Sequence, residues 1–175
     1  MLGADHTCVV PLQHEVDRIQ AYCRERGVST ERVRFHVEPS ELVLPTLPPD
    51  PLDFVLIDGS HSFPQVFIDW FYTQRRLEVG GTMMIDDVHV WTGRVLRDFL
   101  LAEPEWTLST TWSARTAVFT KVAPTDDDKV WFEQAYVWRR TRPATLGRAR
   151  MAAALIRSGE FREFGRRVAQ TVRPG

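Results

Sequence analysis

Two apolar runs, DFVLID at residues 53–58 and TMMIDD at residues 82–87, each break off on aspartate, and a helical pattern lies between them. A short continuous apolar run bounded by turn signals reads as a strand buried on both faces, the kind found in parallel sheets. A strand, a helix and a second strand make a βαβ unit with a right-handed crossover. Both strands then present their carboxyl ends, and so their acids, at one edge of the sheet. This constrains the chain to an α/β fold more than any bulk property does.

The flanking sequence extends the pattern. Residues 7–10 read as a short strand. Val16, Ile19 and Cys23 recur at helical spacing within Glu15 to Arg26, and Gly27 is the stop. RVRFHV, residues 32–37, alternates as a strand does, whereas residues 40–47 fit neither template. After the first aspartate a helix is expected from about Phe63 to Leu77, with Ser62 and Gln65 as a capping box and Gly80-Gly81 as its end. Thr92 can cap a helix running to about Ala102. Residues 106–111 and 115–121 read as an antiparallel hairpin. Beyond Pro124 the pattern is helical, at about 126–141, 147–157 and 159–171. The expected domains are therefore an α/β domain over residues 1–123 and a helical extension over residues 124–175.

The 175 residues carry a net charge of −1, but unevenly: from Arg139 onward ten Arg face two Glu, a local +8, which leaves −9 on the remainder. Trp131, Phe132, Ala135, Tyr136 and Trp138 follow helical spacing and are expected to pack on the chain itself or on a partner subunit. A basic amphipathic helix can also lie on an anionic membrane or bind nucleic acid, but neither partner has a clear signature here. Two cysteines do not make a disulfide framework, and a cytoplasmic protein is expected. No signal peptide or membrane-spanning run is visible.

The chemistry lies at the strand ends. In open α/β sheets ligands bind outside the carboxyl ends of the strands. Asp58, Asp86 and Asp87 would converge there, and carboxylates in one crevice repel unless something neutralises them. A hard divalent cation is the economical solution. The plainer alternative makes Asp58 and Asp87 caps or loop anchors and pairs Asp86 with an arginine. His61 follows Asp58 by one short turn. It is either a general base or a loop histidine bonded to Asp58 or Ser60. His89 is a second candidate, and Trp91 either walls a substrate pocket or belongs to the core.

The stretch DFVLIDGSHSFPQVFIDW, followed by LEVGGTMMIDDVHVWTG, resembles the second half of a class I S-adenosylmethionine-dependent methyltransferase, and specifically the methyltransferase domain 24 family. Its layout is also similar to catechol-type O-methyltransferases. The resemblance implies a Rossmann-like sheet, mostly parallel with a C-terminal antiparallel hairpin, and S-adenosylmethionine as cofactor. It implies Asp58, Asp86 and Asp87 as ligands of Mg²⁺ or another divalent cation, with His61 as base where the catechol enzymes have lysine. Candidate cofactor contacts are Gln13, Glu15, Glu38, Ser40 and Asp58. The resemblance covers roughly residues 5–122 and is tightest from 53 to 93.

The sequence departs from the family at its start. No G-x-G-x-G turn is present, and the chain opens on what the family makes its second strand. The sheet is thus expected to be N-terminally incomplete, closing over a gap or leaving two edges unpaired; exposed edges invite association. The expected function is metal-assisted O-methylation of a small molecule, inactive if this fragment's cofactor pocket is incomplete. Two alternatives stand beside it. One is a non-catalytic methyltransferase-like module that dimerises through its open edge or its C-terminal helices. The other is a metal-dependent hydrolase or hydroxylase using His61, His89 and Asp86.

Overall fold

The computed structural model describes residues 3–112, 114–126 and 128–141. The chain divides between Asp127 and Asp128 into two units. In the first, the described elements are β1 (His6–Val10), α1 (Gln13–Glu25), β2 (Val33–Val37), α2 (Ser40–Val43), a 3-10 turn (Leu44–Thr46), β3 (Leu52–Ile57), α3 (Gln65–Gln74), β4 (Leu77–Ile85), α4 (Trp91–Ala102), β5 (Trp106–Trp112) and β6 (Thr116–Lys121). The ambiguous stretch 40–47 is thus a single helical turn running into a 3-10 turn. Gly27, with φ +65°, ends α1 in the left-handed region, as its position predicts.

The strands form two sheets. β1 and β2 pair in parallel as a two-stranded sheet, and the other four lie in the order β3-β4-β6-β5. β3 and β4 are parallel neighbours, Ile57 beside Ile85, and the predicted hairpin returns antiparallel with β6 against β4. Among the described residues, β1 pairs only with β2, and β3 only with β4. Where the family has a strand between its second and fourth, β1 and β3 are therefore both edge strands among the described residues. Of the two expected outcomes, unpaired edges are the one adopted.

One face of the four-stranded sheet carries the core. Val55, Ile57, Met83, Ile85, Ala117 and Phe119 project from it and cluster with Val66, Leu96 and Leu100 of α3 and α4. The opposite face is open. Phe54 is 48% and Leu56 50% exposed. The expectation that residues 54–57 are buried on both faces is therefore corrected. The alternation inherent to a strand sends two of the four side chains to a face that no described helix covers. Lys121 is buried, and its ammonium donates to the carbonyls of Gln74 and Leu77, 2.8 Å each, at the join of α3 and β4.

Three further local expectations are corrected. Gly80-Gly81 does not end α3, which stops at Gln74; both glycines lie inside β4. Leu52 pairs with Leu77 but Phe54 with Thr82, so β4 carries a bulge there. Gly80 has φ +92°, and a Cβ on Gly81 would lie 2.7 Å from Leu77 Cδ1. Glycine serves the bulge, not a helix end. Ser62 does not cap α3 through its backbone. Its hydroxyl bonds the Gln65 side chain at 3.0 Å, and Pro64 holds the cap position. Thr92 lies inside α4, behind Val90, and its hydroxyl is used elsewhere.

In the second unit, a helix spans 135–141 where one was expected from about 126. Trp131 contacts Phe132 and Trp138, with ring centroids 5.6 and 6.1 Å apart. The expected helices at 147–157 and 159–171 lie outside the described residues.

Candidate functional site at the carboxyl ends of β3 and β4

Parallel pairing in register places Asp58 and Asp86 side by side, each one residue past the matched pair Ile57 and Ile85. The Asp86 N–H donates to the Ile57 carbonyl at 2.9 Å, so the ladder runs up to the acids. Asp87 has φ +50°, a left-handed conformation that aspartate tolerates better than most residues. The turn reverses there, and the Val90 N–H returns to the Asp87 carbonyl at 2.9 Å. Gly93 lies directly under this turn; a Cβ on it would be 2.7 Å from the Asp87 carbonyl oxygen.

The side chains then converge. His61 Nε2 lies 3.0 Å from Asp87 Oδ2. Arg115, from the β5–β6 hairpin, donates to Asp87 Oδ1 from Nη2 at 2.5 Å and from Nε at 3.1 Å. His89 Nδ1 is 3.5 Å from the same Oδ1. Thr116 donates its hydroxyl to Asp86 Oδ1. The backbone joins the same segments, with the Val88 N–H on the Arg115 carbonyl at 2.7 Å. The Thr92 hydroxyl donates to the carbonyl of His61.

The electrostatics follow the contacts. Burial, and then the neighbouring Asp86, push the Asp58 carboxyl above its ordinary range, while His61 works against the shift. The Thr116 hydroxyl holds Asp86 below its ordinary range, and Asp58 bonds it as well. The two neighbouring carboxyls are therefore pushed in opposite directions, Asp58 up and Asp86 down. Arg115 is raised chiefly by its hydrogen bond to Asp87. The Thr116 hydroxyl, the His61 imidazole and the Arg115 guanidinium thus face the acids at this edge.

That arrangement does not fit the divalent cation implied by the family. A hard cation needs several carboxylate or carbonyl oxygens turned toward it. Here both Asp87 oxygens already face nitrogen donors, and Asp86 Oδ1 takes the Thr116 hydroxyl. Among the described residues no three His, Cys, Asp or Glu side chains are placed to hold a metal ion. His61 and His89 both turn to Asp87, so the grouping with Asp86 is not formed either.

The candidate cofactor contacts are spread over both sheets. Gln13 bonds Asp17 at 3.1 Å, and Glu15 accepts the Leu12 N–H at 3.3 Å, a capping role. Ser40 bonds the carboxylate of Asp69. Glu38 follows β2 and Asp58 follows β3, each just past the carboxyl end of its strand. Trp91 is 58% exposed and is not core. Sequence reasoning missed Arg115, Thr116 and Asp69. Asp69 lies on α3, its Oδ2 3.4 Å from where a Cβ on Gly59 would be.

A family model described as "Methyltransferase domain" matches residues 2–88, which include β1 to β4 and all three acids. The chain belongs to the class I methyltransferases. Its fold is similar to the O-methyltransferase TomG from Streptomyces achromogenes, involved in tomaymycin synthesis and solved with S-adenosylmethionine, at 18% identity and a TM-score of 0.54, over 70% of this chain and 64% of that one. It is also similar to an O-methyltransferase from Bacillus cereus in complex with S-adenosylhomocysteine, at 16% identity and a TM-score of 0.53, over 69% of this chain and 64% of that one. No curated sequence is significantly similar. The methyltransferase chain thus spans a little under two thirds of the length of these solved relatives. No described helix is long and apolar enough to cross a membrane.

Proposed function

We propose that this methyltransferase domain serves S-adenosylmethionine-dependent methylation of a hydroxyl on a small molecule, with His61 as general base. The observation that carries the reading is the 3.0 Å contact between His61 Nε2 and Asp87 Oδ2 at the ends of two parallel strands. A carboxylate accepting from Nε2 fixes the tautomer that leaves Nδ1 as the basic nitrogen. The O-methyltransferase relatives solved with S-adenosylmethionine and S-adenosylhomocysteine support the cofactor and the oxygen acceptor.

When bound, S-adenosylmethionine supplies an electrophilic methyl group on a sulfonium. His61 would take the proton of the substrate hydroxyl on its Nδ1, leaving that oxygen ready to accept the methyl group. Asp87 orients His61 and stabilises the imidazolium. Thr92 fixes the backbone from which His61 projects. Glu38 and Asp58 would hold the cofactor.

The test is transfer of labelled methyl from S-adenosylmethionine to a panel of catechols and aliphatic alcohols. His61→Ala is expected to lower the rate by about 10²-fold or more, the usual contribution of a general base. Full activity in that variant would remove the proposal. A second reading, a non-catalytic module acting through association, is favoured by the unpaired edges of β1 and β3. Calorimetry separates the two: heat on adding S-adenosylmethionine or S-adenosylhomocysteine supports the enzyme, and none supports the module.

A further inference from the structure

We infer that Arg115 is the resident cation of this site: its guanidinium holds the place beside Asp87 that a divalent metal would take, so that the chain has no use for one. This deepens the proposed function, on which it rests for the meaning of the site, but it is tested without any methyl transfer.

Two contacts fix Arg115. Its carbonyl accepts the Val88 N–H at 2.7 Å, which pins the hairpin against the Asp86-Asp87 turn. Its side chain then delivers two donors to one oxygen of Asp87. The planar fork of arginine makes such paired contacts, and a lysine, as a single flexible point charge, does not. The pair contributes little to stability, because the Arg115 side chain is 61% exposed and surface ion pairs are weak. Its consequence is local. Asp87 Oδ1 faces the guanidinium and Oδ2 faces His61, so neither is turned toward a space that a metal could enter. A cation arriving there would have to displace Arg115, and two cations competing for one carboxylate exclude each other.

The inference also accounts for the base. In metal-assisted transfer the ion lowers the pKa of the substrate hydroxyl. With a guanidinium in that position, deprotonation falls to the His61 side chain. Arg115 does not touch that ring directly in the structure; it acts through Asp87, and is a positioning residue.

The experiment is Mn²⁺ titration of the whole chain, followed by electron paramagnetic resonance of the free ion. The wild type is expected to leave the Mn²⁺ signal undiminished at sub-millimolar concentrations, where weak oxygen-ligand sites already bind. Arg115→Met frees Asp87 Oδ1 and is expected to bind Mn²⁺ at least about tenfold more tightly, reversibly by EDTA, a gain of about 1.4 kcal/mol. The gain should vanish in Arg115→Met combined with Asp87→Asn, and should be absent in Arg32→Met, whose partner is Asp5 in another part of the fold. A purely structural role for Arg115 moves none of these readouts. Arg115→Gln provides the same test if the methionine variant does not fold. Wild-type binding as tight as that of the Arg115 variants, or no gain in either variant, would overturn the inference. Because no step requires the cofactor, an absence of methyl transfer would count against the proposed function and leave this result standing.

Discussion

The hydroxyl of Thr92, in the first turn of α4, donates to the backbone carbonyl of His61 across 31 residues of sequence, at 2.5 Å. It ties the loop leaving β3 to the helix that follows β4. The candidate base and the acids that orient it are thus held from two sides.

Thr92→Val keeps the shape and removes the donor. Thr92 is buried, and such a lost bond costs about 1 kcal/mol. Urea denaturation should show that loss. Loosening His61 should lower methyl transfer by up to about 10²-fold, the effect of displacing a reacting group by an ångström. Thr92→Ser should recover most of both. Unchanged stability and rate would show that the contact positions nothing.

At Gly93 two effects oppose. Alanine is about 1 kcal/mol better than glycine inside a helix. Here, however, its Cβ would lie 2.7 Å from the carbonyl oxygen of Asp87, which is backbone and cannot swing away. The clash is expected to win, with Gly93→Ala destabilising by about 1–3 kcal/mol, as overpacking does. A denaturation midpoint at or above that of the wild type would mean that the Asp87 turn yields readily.

Burial pushes the Asp69 carboxyl above its ordinary range, with Ser40 opposing and Glu41 reinforcing the shift. One of its oxygens is buried without a hydrogen-bond partner. The folded chain therefore holds this proton more tightly than the unfolded one. The stabilising contribution is complete below the unfolded pKa of 3.8 and is lost as pH rises through the folded value. Asp69→Asn removes the titration, so its stability relative to wild type should be greater at pH 7 than at pH 4. Equal differences at both pH values, measured by urea denaturation, would contradict the burial account.

Alternate residues of β3 should behave oppositely. Val55 is 6% exposed and Phe54 48%. Val55→Ala should cost about 2 kcal/mol, whereas Phe54→Ala, despite losing the larger side chain, should cost under about 1 kcal/mol. If the phenylalanine variant is the more damaging, the open face is covered in solution. Sedimentation of both variants would then show whether a second copy covers it.

Much of the site was legible in the chain. Strand periodicity gave β3 and β4, and the apolar runs ending on Asp58 and Asp86 put both acids at one sheet edge. The three-residue step from Asp58 brought the His61 imidazole to the same edge, beside Asp87. The errors fell where a residue serves a distant partner: Thr92 resembled a cap, and Gly80-Gly81 a helix stop. Both are common local roles, and nothing within a few residues distinguishes them from a tether to His61 or a bulge inside β4.

The sequence by itself determined the α/β class, the parallel pairing of the two acid-tipped strands and the closing hairpin. These follow from periodicity and turn chemistry within short windows. Only the tertiary structure decided what neutralises the acids, which face of β3 is covered and that the strands form two sheets. Arg115 reaches Asp87 across 28 residues, and a charge's partner is set by which distant segments meet in space, information that no local pattern carries.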